Sequence, residues 1–177
     1  GVKTIGYQHS VVGKRHWVHV PASDPNSSIH LPARIVCSGP FWQRILEAYG
    51  IETDRIEVGG ALRYQEAQQL KHDPNGPIYV ALPFAPQIAA EMLEAISSLA
   101  LSGEFKFVAR GHPMRSAAIP NDVGLQRTSK SLQESDGIAA VLFAATTVGL
   151  EALIGGIPVV RFIPDGCVSV DIIPEPL

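Results

Sequence analysis

Two short polar segments hold the residues whose types and spacing are best suited to chemistry. The first follows the apolar run 105–109 and consists of Arg110, Gly111, His112 and Pro113. An arginine presents a planar fork of donors that suits a phosphate, and an imidazole can donate a hydrogen bond to a phosphate or a leaving group. The proline stiffens the turn that carries the histidine. The segment is a candidate phosphate site, and an exposed turn with two solvated side chains is the alternative.

The second segment follows the apolar run 137–143 and consists of Ala144, Ala145, Thr146 and Thr147. It lies at the start of a helix that the sequence predicts over residues 145–154. The first N–H groups of a helix lack partners within it, and the helix dipole favours negative charge there. Two hydroxyl groups add further donors. The segment is a second candidate phosphate site, and simple capping of the helix by a threonine, without any ligand, is the alternative.

The elements that must position these segments are short apolar strands alternating with helices. The pattern predicts helices over residues 41–49, from 86 to 102 and over 145–154, one or two helical turns over 129–135, and strands over 2–8, 34–38, 55–58, 78–82, 105–109, 123–125, 137–143 and 157–162. Parallel strands need such crossovers, so we expect a Rossmann-like, doubly wound α/β sheet. Ligands bind such sheets beyond the carboxyl ends of the strands, which is where both polar segments fall.

Composition excludes several classes of protein. The chain has 177 residues, a net charge of -3 and 46% hydrophobic residues, which is typical of a globular domain and not of a nucleic-acid-binding protein. No apolar run approaches the roughly 20 residues of a transmembrane helix. Two cysteines are too few for a disulfide framework, and the six histidines have neither a Cys pair nor a carboxylate cluster beside them. We expect a cytoplasmic protein without a metal, a nucleic-acid partner or a transmembrane segment.

The order of several motifs resembles a group of GT-B glycosyltransferases. Residues 110–113 (RGHP) and 146–160 (TTVGLEALIGGIPVV) are similar to the (R/K)xHP strand end and the Ser/Thr pair, helix and GxPVV segment of that group. Residues 6–10 (GYQHS) resemble its GxQHG strand end, residues 37–40 (CSGP) the opening of its nucleotide domain, and residues 58–64 (VGGALRY) its VxGxxR turn. The group includes sialyl-, polysialyl- and Kdo-transferases of capsule and lipopolysaccharide synthesis, and CDP-glycerol glycerophosphotransferases.

The resemblance implies a set of site residues. His112 would bind the nucleotide phosphate or assist departure of the nucleoside phosphate, with Arg110 beside it. Thr146 and Thr147 would hold the phosphate, and Glu151 would contact the ribose hydroxyls. His9 would face the cleft as a catalytic or acceptor-side residue, with a structural histidine at a strand end as the alternative. Gly59 and Gly60 would let the backbone approach the nucleotide, and an ordinary turn is the alternative.

The sequence departs from the motifs of that group at two places, and the two ends of the chain suggest a further expectation. Ser10 replaces a glycine, and the threonine pair replaces the commoner Ser-Ser. The chain begins at Gly1 and ends just after a strand-like segment, where a covering helix would normally follow. We therefore expect a piece of a longer enzyme. Residues 1–31 would be a remnant of its N-terminal acceptor domain or an interdomain loop, and residues 32–177 its nucleotide-sugar-binding domain.

The expected activity is metal-independent glycosyl transfer in surface polysaccharide or lipopolysaccharide biosynthesis. The donor would be a nucleotide sugar, with a CMP-linked donor favoured and CDP or UDP as alternatives, and the acceptor a saccharide or a lipid-linked saccharide. No cofactor is expected, and peripheral attachment to the inner membrane is a further expectation. The competing interpretations are a UDP-GlcNAc epimerase of the same fold and a non-catalytic nucleotide-binding or scaffold domain. A dinucleotide oxidoreductase is disfavoured because no GxGxxG follows a strand.

Overall fold

The structure is a computed structural model that describes residues 3–8, 31–62, 69–115, 119–120 and 124–165. The chain forms two compact units, which divide between residues 66 and 67. The prediction that residues 1–31 and 32–177 belong to different domains of a longer enzyme stays a prediction. The unit division of this structure lies further along the chain.

The first unit contains a three-stranded parallel sheet. Its strands are β1 (Ile5–Tyr7), β2 (Arg34–Cys37) and β3 (Ile56–Val58), paired in the order β1-β2-β3. Helix α1 (Pro40–Ala48) crosses from β2 towards β3 and begins with a proline, which suits the first turn of a helix. Apolar side chains from the sheet, α1 and the segment after it form one core: Ile35, Cys37, Leu46, Ile51 and Ile56.

The second unit contains a five-stranded parallel sheet. Its strands are β4 (Ile78–Ala81), β5 (Phe107–Arg110), β6 (Gln126–Arg127), β7 (Ala140–Phe143) and β8 (Val159–Arg161). Their order is β6-β5-β4-β7-β8, so the chain first moves outwards on one side of β4 and then on the other. This is the doubly wound, Rossmann-like order that the alternation of strands and helices predicted, and the fold class is confirmed.

Helices cover both faces of this sheet. Helix α2 (Pro86–Ser102) connects β4 to β5, and Gly103 ends it in the left-handed conformation at φ 72°. Its buried stripe packs on the sheet face that carries Val80, Ala109 and Leu142. Helix α3 (Val148–Ile154) lies on the other face, where Gly149 packs against the buried ring of Phe143. Within the described residues, no helix is long and apolar enough to cross a membrane.

Most predicted elements are present, with shifts at their ends. Helix α3 begins at Val148 instead of residue 145, because Ala145 has a φ of 46° and residues 144–147 form the turn between β7 and the helix. Strand β6 covers residues 126–127 instead of 123–125. Residues 129–135 form no helix, but a turn in which Ser131 and Glu134 bond to each other. Arg110 is the last residue of β5 and does not belong to the loop after it.

Candidate functional site

The strand order of the second unit fixes where a ligand would bind. The crossovers run in opposite directions on the two sides of β4, so the topological switch point lies between β4 and β7. All five strands are parallel, and their carboxyl ends share one edge. Three segments meet at this edge: residues 82–85 after β4, residues 111–115 after β5 and residues 144–147 after β7. Since neighbouring strands are about 4.8 Å apart, the last two segments flank β4 at a spacing of roughly 10 Å.

His112 lies in a tight turn after β5. The Arg115 N–H donates to the His112 carbonyl at 3.0 Å and closes the turn. The Met114 N–H donates to Nδ1 of the His112 ring at 3.3 Å. An Nδ1 that accepts a hydrogen bond carries no proton, so the proton of the neutral imidazole is on Nε2. His112 is therefore a half-buried side chain whose Nε2 is the ring nitrogen left to donate to a ligand.

The ring of His112 also contacts Phe84, in the segment after β4. The two rings meet edge to face, with centroids 5.4 Å apart. The Arg115 guanidinium lies over the Phe84 ring, 5.7 Å from its centroid. Phe84 thus ties the ends of β4 and β5 together. No motif predicted this contact, since neither Phe84 nor Arg115 belongs to a recognisable one.

Arg110 points to the sheet face that carries α3. It is paired in register with Ala81, on the same face as Tyr79 and Phe143. The Tyr79 side chain is 1% exposed, and its hydroxyl donates to the Lys130 carbonyl at 2.9 Å. Burial raises the pKa of Tyr79 above its usual 10.0, and a hydrogen bond and the positive charge of Arg110 oppose that shift. Arg110 therefore interacts with the Tyr79 side chain within the protein, below the carboxyl ends of the strands.

Glu134 lies in the same neighbourhood. It accepts hydrogen bonds from the Ser131 N–H and hydroxyl, both at 2.7 Å. These two bonds hold the pKa of Glu134 below its usual 4.5, and the positive charges of Arg110 and Lys130 add to the effect. The carboxylate fixes the turn between β6 and β7 and places a negative charge near Arg110.

Thr146 and Thr147 lie in the turn between β7 and α3. The turn passes through Ala145, an exposed non-glycine residue in the left-handed region at φ 46°. Thr147 is the N-cap residue of α3 but makes no capping hydrogen bond. Its hydroxyl instead donates to Glu151 Oε1 at 3.2 Å. Thr146 Oγ1 is 3.5 Å from the Val148 nitrogen, a contact at the limit of hydrogen bonding. Capping of α3 by a threonine is limited to this contact, and phosphate binding by Thr146 and Thr147 stays a prediction.

Glu151 is held by two neighbours one helical turn into α3. Thr147 donates to Oε1, and the Gln133 amide donates to Oε2 at 3.0 Å. A carboxylate oxygen can accept more than one hydrogen bond. Glu151 also acts electrostatically on Tyr79. The structure thus brings Arg110, Thr147 and Glu151 to one face of the sheet and adds Gln133, which no motif had indicated.

Gly59 and Gly60, in the first unit, differ in the space around them. A Cβ on Gly59 would lie 2.5 Å from Val36 Cγ1, so the sheet requires a glycine there. A Cβ on Gly60 would meet nothing within 4 Å. The Tyr7 hydroxyl donates to the Gly60 carbonyl at 2.8 Å and accepts from the Leu62 N–H at 3.1 Å. The turn interpretation thus has direct support, and contact of either glycine with a nucleotide stays a prediction.

Two further site predictions concern His9 and metal ions. His9 lies outside the described residues, and its neighbour Gln8 is 4% exposed and accepts from the Ser38 N–H and hydroxyl. Among the described residues, no group of three or more His, Cys, Asp or Glu side chains could hold a metal ion.

Comparisons with known proteins identify the fold and not the activity. No protein-family model and no curated protein sequence matches the chain. Among solved structures, the chain is similar to UDP-N-acetylglucosamine 2-epimerase from Rickettsia bellii, with a TM-score of 0.52 and 14% sequence identity. The match covers 88% of this chain and 48% of that one, so the chain spans about half the length of its neighbour. The chain accordingly has a Rossmann-like α/β fold of the GT-B type.

Proposed function

We propose that this chain supplies the donor-nucleotide-binding part of a glycosyltransferase that acts in surface polysaccharide or lipopolysaccharide biosynthesis. The observation that carries the proposal is the pair of polar segments on either side of β4. His112 presents an Nε2–H donor after β5, and the Ala145–Thr147 turn follows β7. A nucleoside phosphate bound over the end of β4 would lie between them, at the switch point of the sheet. We favour a CMP-linked donor, with CDP and UDP as the alternatives.

In this mechanism an acceptor hydroxyl oxygen forms a bond to the anomeric carbon of the donor sugar and releases its proton to a base or to water, while the bond between that carbon and the phosphate oxygen breaks. The electron pair stays on the phosphate, whose negative charge therefore grows in the transition state. The Nε2–H of His112 would stabilise that charge, together with main-chain N–H groups of the turn at residues 145–147. For these three N–H groups we find no acceptor among the described residues. Because these donors are already fixed in place, they would stabilise the negative charge on the leaving phosphate without a metal ion.

The nucleoside would extend from the phosphate over the face that carries α3. Glu151 accepts from Thr147 and Gln133, which fixes its carboxylate for the hydroxyls of a ribose. Arg110 lies on the same face, where its positive charge acts on both Tyr79 and Glu134. We propose that Arg110 balances the carboxylates of this face and does not bind the phosphate directly.

The second candidate is an enzyme that alters a nucleotide sugar without an acceptor. The similarity to a UDP-N-acetylglucosamine 2-epimerase favours it at the level of the fold. Both candidates use a nucleotide bound at the same edge of the sheet, but they differ in nucleotide preference and in the need for an acceptor. A non-catalytic nucleotide-binding or scaffold domain is the third interpretation.

The experiment that tests the proposal is a calorimetric or NMR titration of this chain with CMP, CDP, UDP and UDP-GlcNAc. We expect selective binding of CMP or CDP. In the variant His112→Ala the affinity should fall by about 10- to 100-fold, the range for a hydrogen bond to a charged group. A suitable control is His72→Ala, because His72 precedes β4 at the opposite edge and its ring nitrogen lies 3.2 Å from the Ala139 carbonyl.

The outcomes separate the candidates. Preference for UDP-GlcNAc, with formation of an epimeric product in the absence of an acceptor, would favour the epimerase. Binding without turnover of any donor would favour the scaffold. Unchanged nucleotide affinity in His112→Ala, with the circular dichroism spectrum of the parent protein, would refute the assignment of His112.

A further inference from the structure

The two methionines of the chain lie in opposite environments. The sequence contains two, Met92 and Met114. Met92 is 0% exposed and packs in the core between α2 and the second sheet. Met114 is 84% exposed, more than any other large apolar side chain in the part of the chain that the structure describes. The core therefore shields one thioether and leaves the other side chain in solvent.

Met114 belongs to the turn that carries His112. Its main-chain N–H donates to Nδ1 of the His112 ring at 3.3 Å, and the next N–H, that of Arg115, donates to the His112 carbonyl at 3.0 Å. The main chain of Met114 thus orients the histidine ring, while its side chain is exposed. A chemical change of that side chain takes place two residues from the proposed phosphate contact.

The chemistry available to an exposed thioether is oxidation by a peroxide. The sulfur lone pair attacks one oxygen of hydrogen peroxide, and an S–O bond forms as the O–O bond breaks. The departing hydroxide takes the proton of the transferred oxygen and becomes water. Sulfur loses two electrons and the peroxide gains them. The product is methionine sulfoxide, which is polar and which methionine sulfoxide reductases convert back to methionine.

We propose that Met114 is a reversible oxidation site whose conversion to the sulfoxide weakens nucleotide binding. The sulfoxide oxygen accepts hydrogen bonds, and the turn that carries it also holds the donor side chains of His112 and Arg115. An acceptor in the same turn competes with a phosphate for these donors. The selective oxidation follows from exposure alone, and its effect on binding rests on the proposed function.

Met92 provides an internal control for the selectivity. A peroxide cannot reach a side chain in a close-packed core unless the core opens. Trypsin cuts after lysine and arginine, so Met92 falls in the peptide 72–106 and Met114 in the peptide 111–115. The oxidation of each methionine can therefore be followed separately by mass spectrometry in one sample.

The test is a time course of hydrogen peroxide treatment of this chain, followed by digestion and mass spectrometry. In the folded chain we expect Met114 to be oxidised at least about tenfold faster than Met92, and in urea the two rates should converge. The oxidised chain is then titrated with CMP, CDP and UDP by calorimetry. We expect its affinity for the preferred nucleotide to be lower by about threefold or more, the loss of part of a charge-assisted hydrogen bond. Treatment with both stereospecific sulfoxide reductases should restore it.

Two matched variants make the result specific. Met114→Leu keeps an apolar side chain of similar size but has no sulfur, so peroxide should leave its nucleotide affinity where it was before treatment. Met92→Leu removes the buried sulfur and should respond to peroxide as the parent does. Both variants keep the two cysteines, so oxidation of a thiol would affect them equally. Circular dichroism before and after treatment establishes that each protein is folded.

The outcomes distinguish this inference from the proposed function. If Met92 is oxidised as fast as Met114 in the folded chain, the oxidation site is refuted. If Met114 is oxidised selectively but nucleotide affinity is unchanged, or if Met114→Leu loses as much affinity as the parent, the effect on binding is refuted and the proposed function stands. If the folded parent binds no nucleotide before treatment, the proposed function fails and the effect on binding fails with it.

Discussion

Replacement of Gly149 by alanine tests how the core positions the candidate site. Gly149 is buried in α3, and a Cβ there would lie 2.6 Å from three atoms of the Phe143 ring. Ordinary contact begins at 3.4 Å, so the ring or the helix would have to move by about 0.8 Å. Phe143 is 0% exposed, and the packed core leaves a rigid ring little freedom to yield.

Two opposing effects determine how far Gly149→Ala changes the free energy of unfolding. Alanine gains about 1 kcal/mol over glycine inside a helix. Forcing an extra carbon into a packed core costs about 1–3 kcal/mol, and the short distance to a rigid ring puts this case at the upper end. We therefore expect Gly149→Ala to lower the free energy of unfolding by about 1–2 kcal/mol. In urea denaturation followed by circular dichroism, the midpoint should fall by roughly 0.5–1 M.

Gly155→Ala is the matched control, because Gly155 ends the same helix. A Cβ there would lie 2.5 Å from Leu70 Cδ1, 2.6 Å from Leu70 Cγ and 3.2 Å from the Glu151 carbonyl oxygen, but Leu70 is only half-buried and its side chain can turn aside. We expect a cost below about 1 kcal/mol, since a leucine can change rotamer. A Gly149→Ala protein as stable as its parent, or a Gly155→Ala protein equally destabilised, would refute the argument that the rigid ring sets the cost. The proposed function adds that Gly149→Ala weakens nucleotide binding, since a shifted α3 moves Glu151.

Two predictions concern titrations on the same sheet face. Ser131→Ala removes the hydroxyl that donates to Glu134 at 2.7 Å but keeps the N–H donor. The pKa of Glu134 should therefore rise part of the way towards 4.5 in a side-chain NMR titration. An unchanged pKa would contradict the assigned cause. Tyr79→Phe removes a buried phenol whose folded-state pKa is raised, so the folded state holds its proton more tightly than the unfolded state. The stability of the parent should therefore fall as the pH rises above about 10, and that of the variant should fall less steeply in urea denaturation at pH 9, 10 and 11. Parallel curves for the two proteins would count against this account.

Much of the architecture could be predicted from the sequence because it depends on local patterns. Short apolar runs alternating with amphipathic helices determine a parallel sheet, and a parallel sheet determines that the segments after β5 and β7 share an edge. Pro86 and Gly103 mark the ends of α2 because their backbone preferences act locally. The positions of His112, Thr146 and Thr147 at strand ends followed from the same reasoning.

Other features depend on contacts between residues far apart in sequence, which no local pattern encodes. Glu151 is held by Gln133, 18 residues away, and the Tyr79 hydroxyl reaches the Lys130 carbonyl, 51 residues away. Arg110 points into the α3 face because of its register beside Ala81, and a one-residue shift would reverse its direction. The left-handed Ala145, which delays α3 to Val148, runs against the preference of alanine for a helix, so the helix start could not be predicted from local propensity.

The sequence by itself determined the alternation of elements, the parallel sheet and the polar character of its carboxyl edge, because periodicity and turn residues act within a few positions of the chain. Only the tertiary structure decided that Phe84, His112 and Arg115 meet, and that the chain divides between residues 66 and 67. Strand order and register produce these features, and both are set by the packing of the whole sheet.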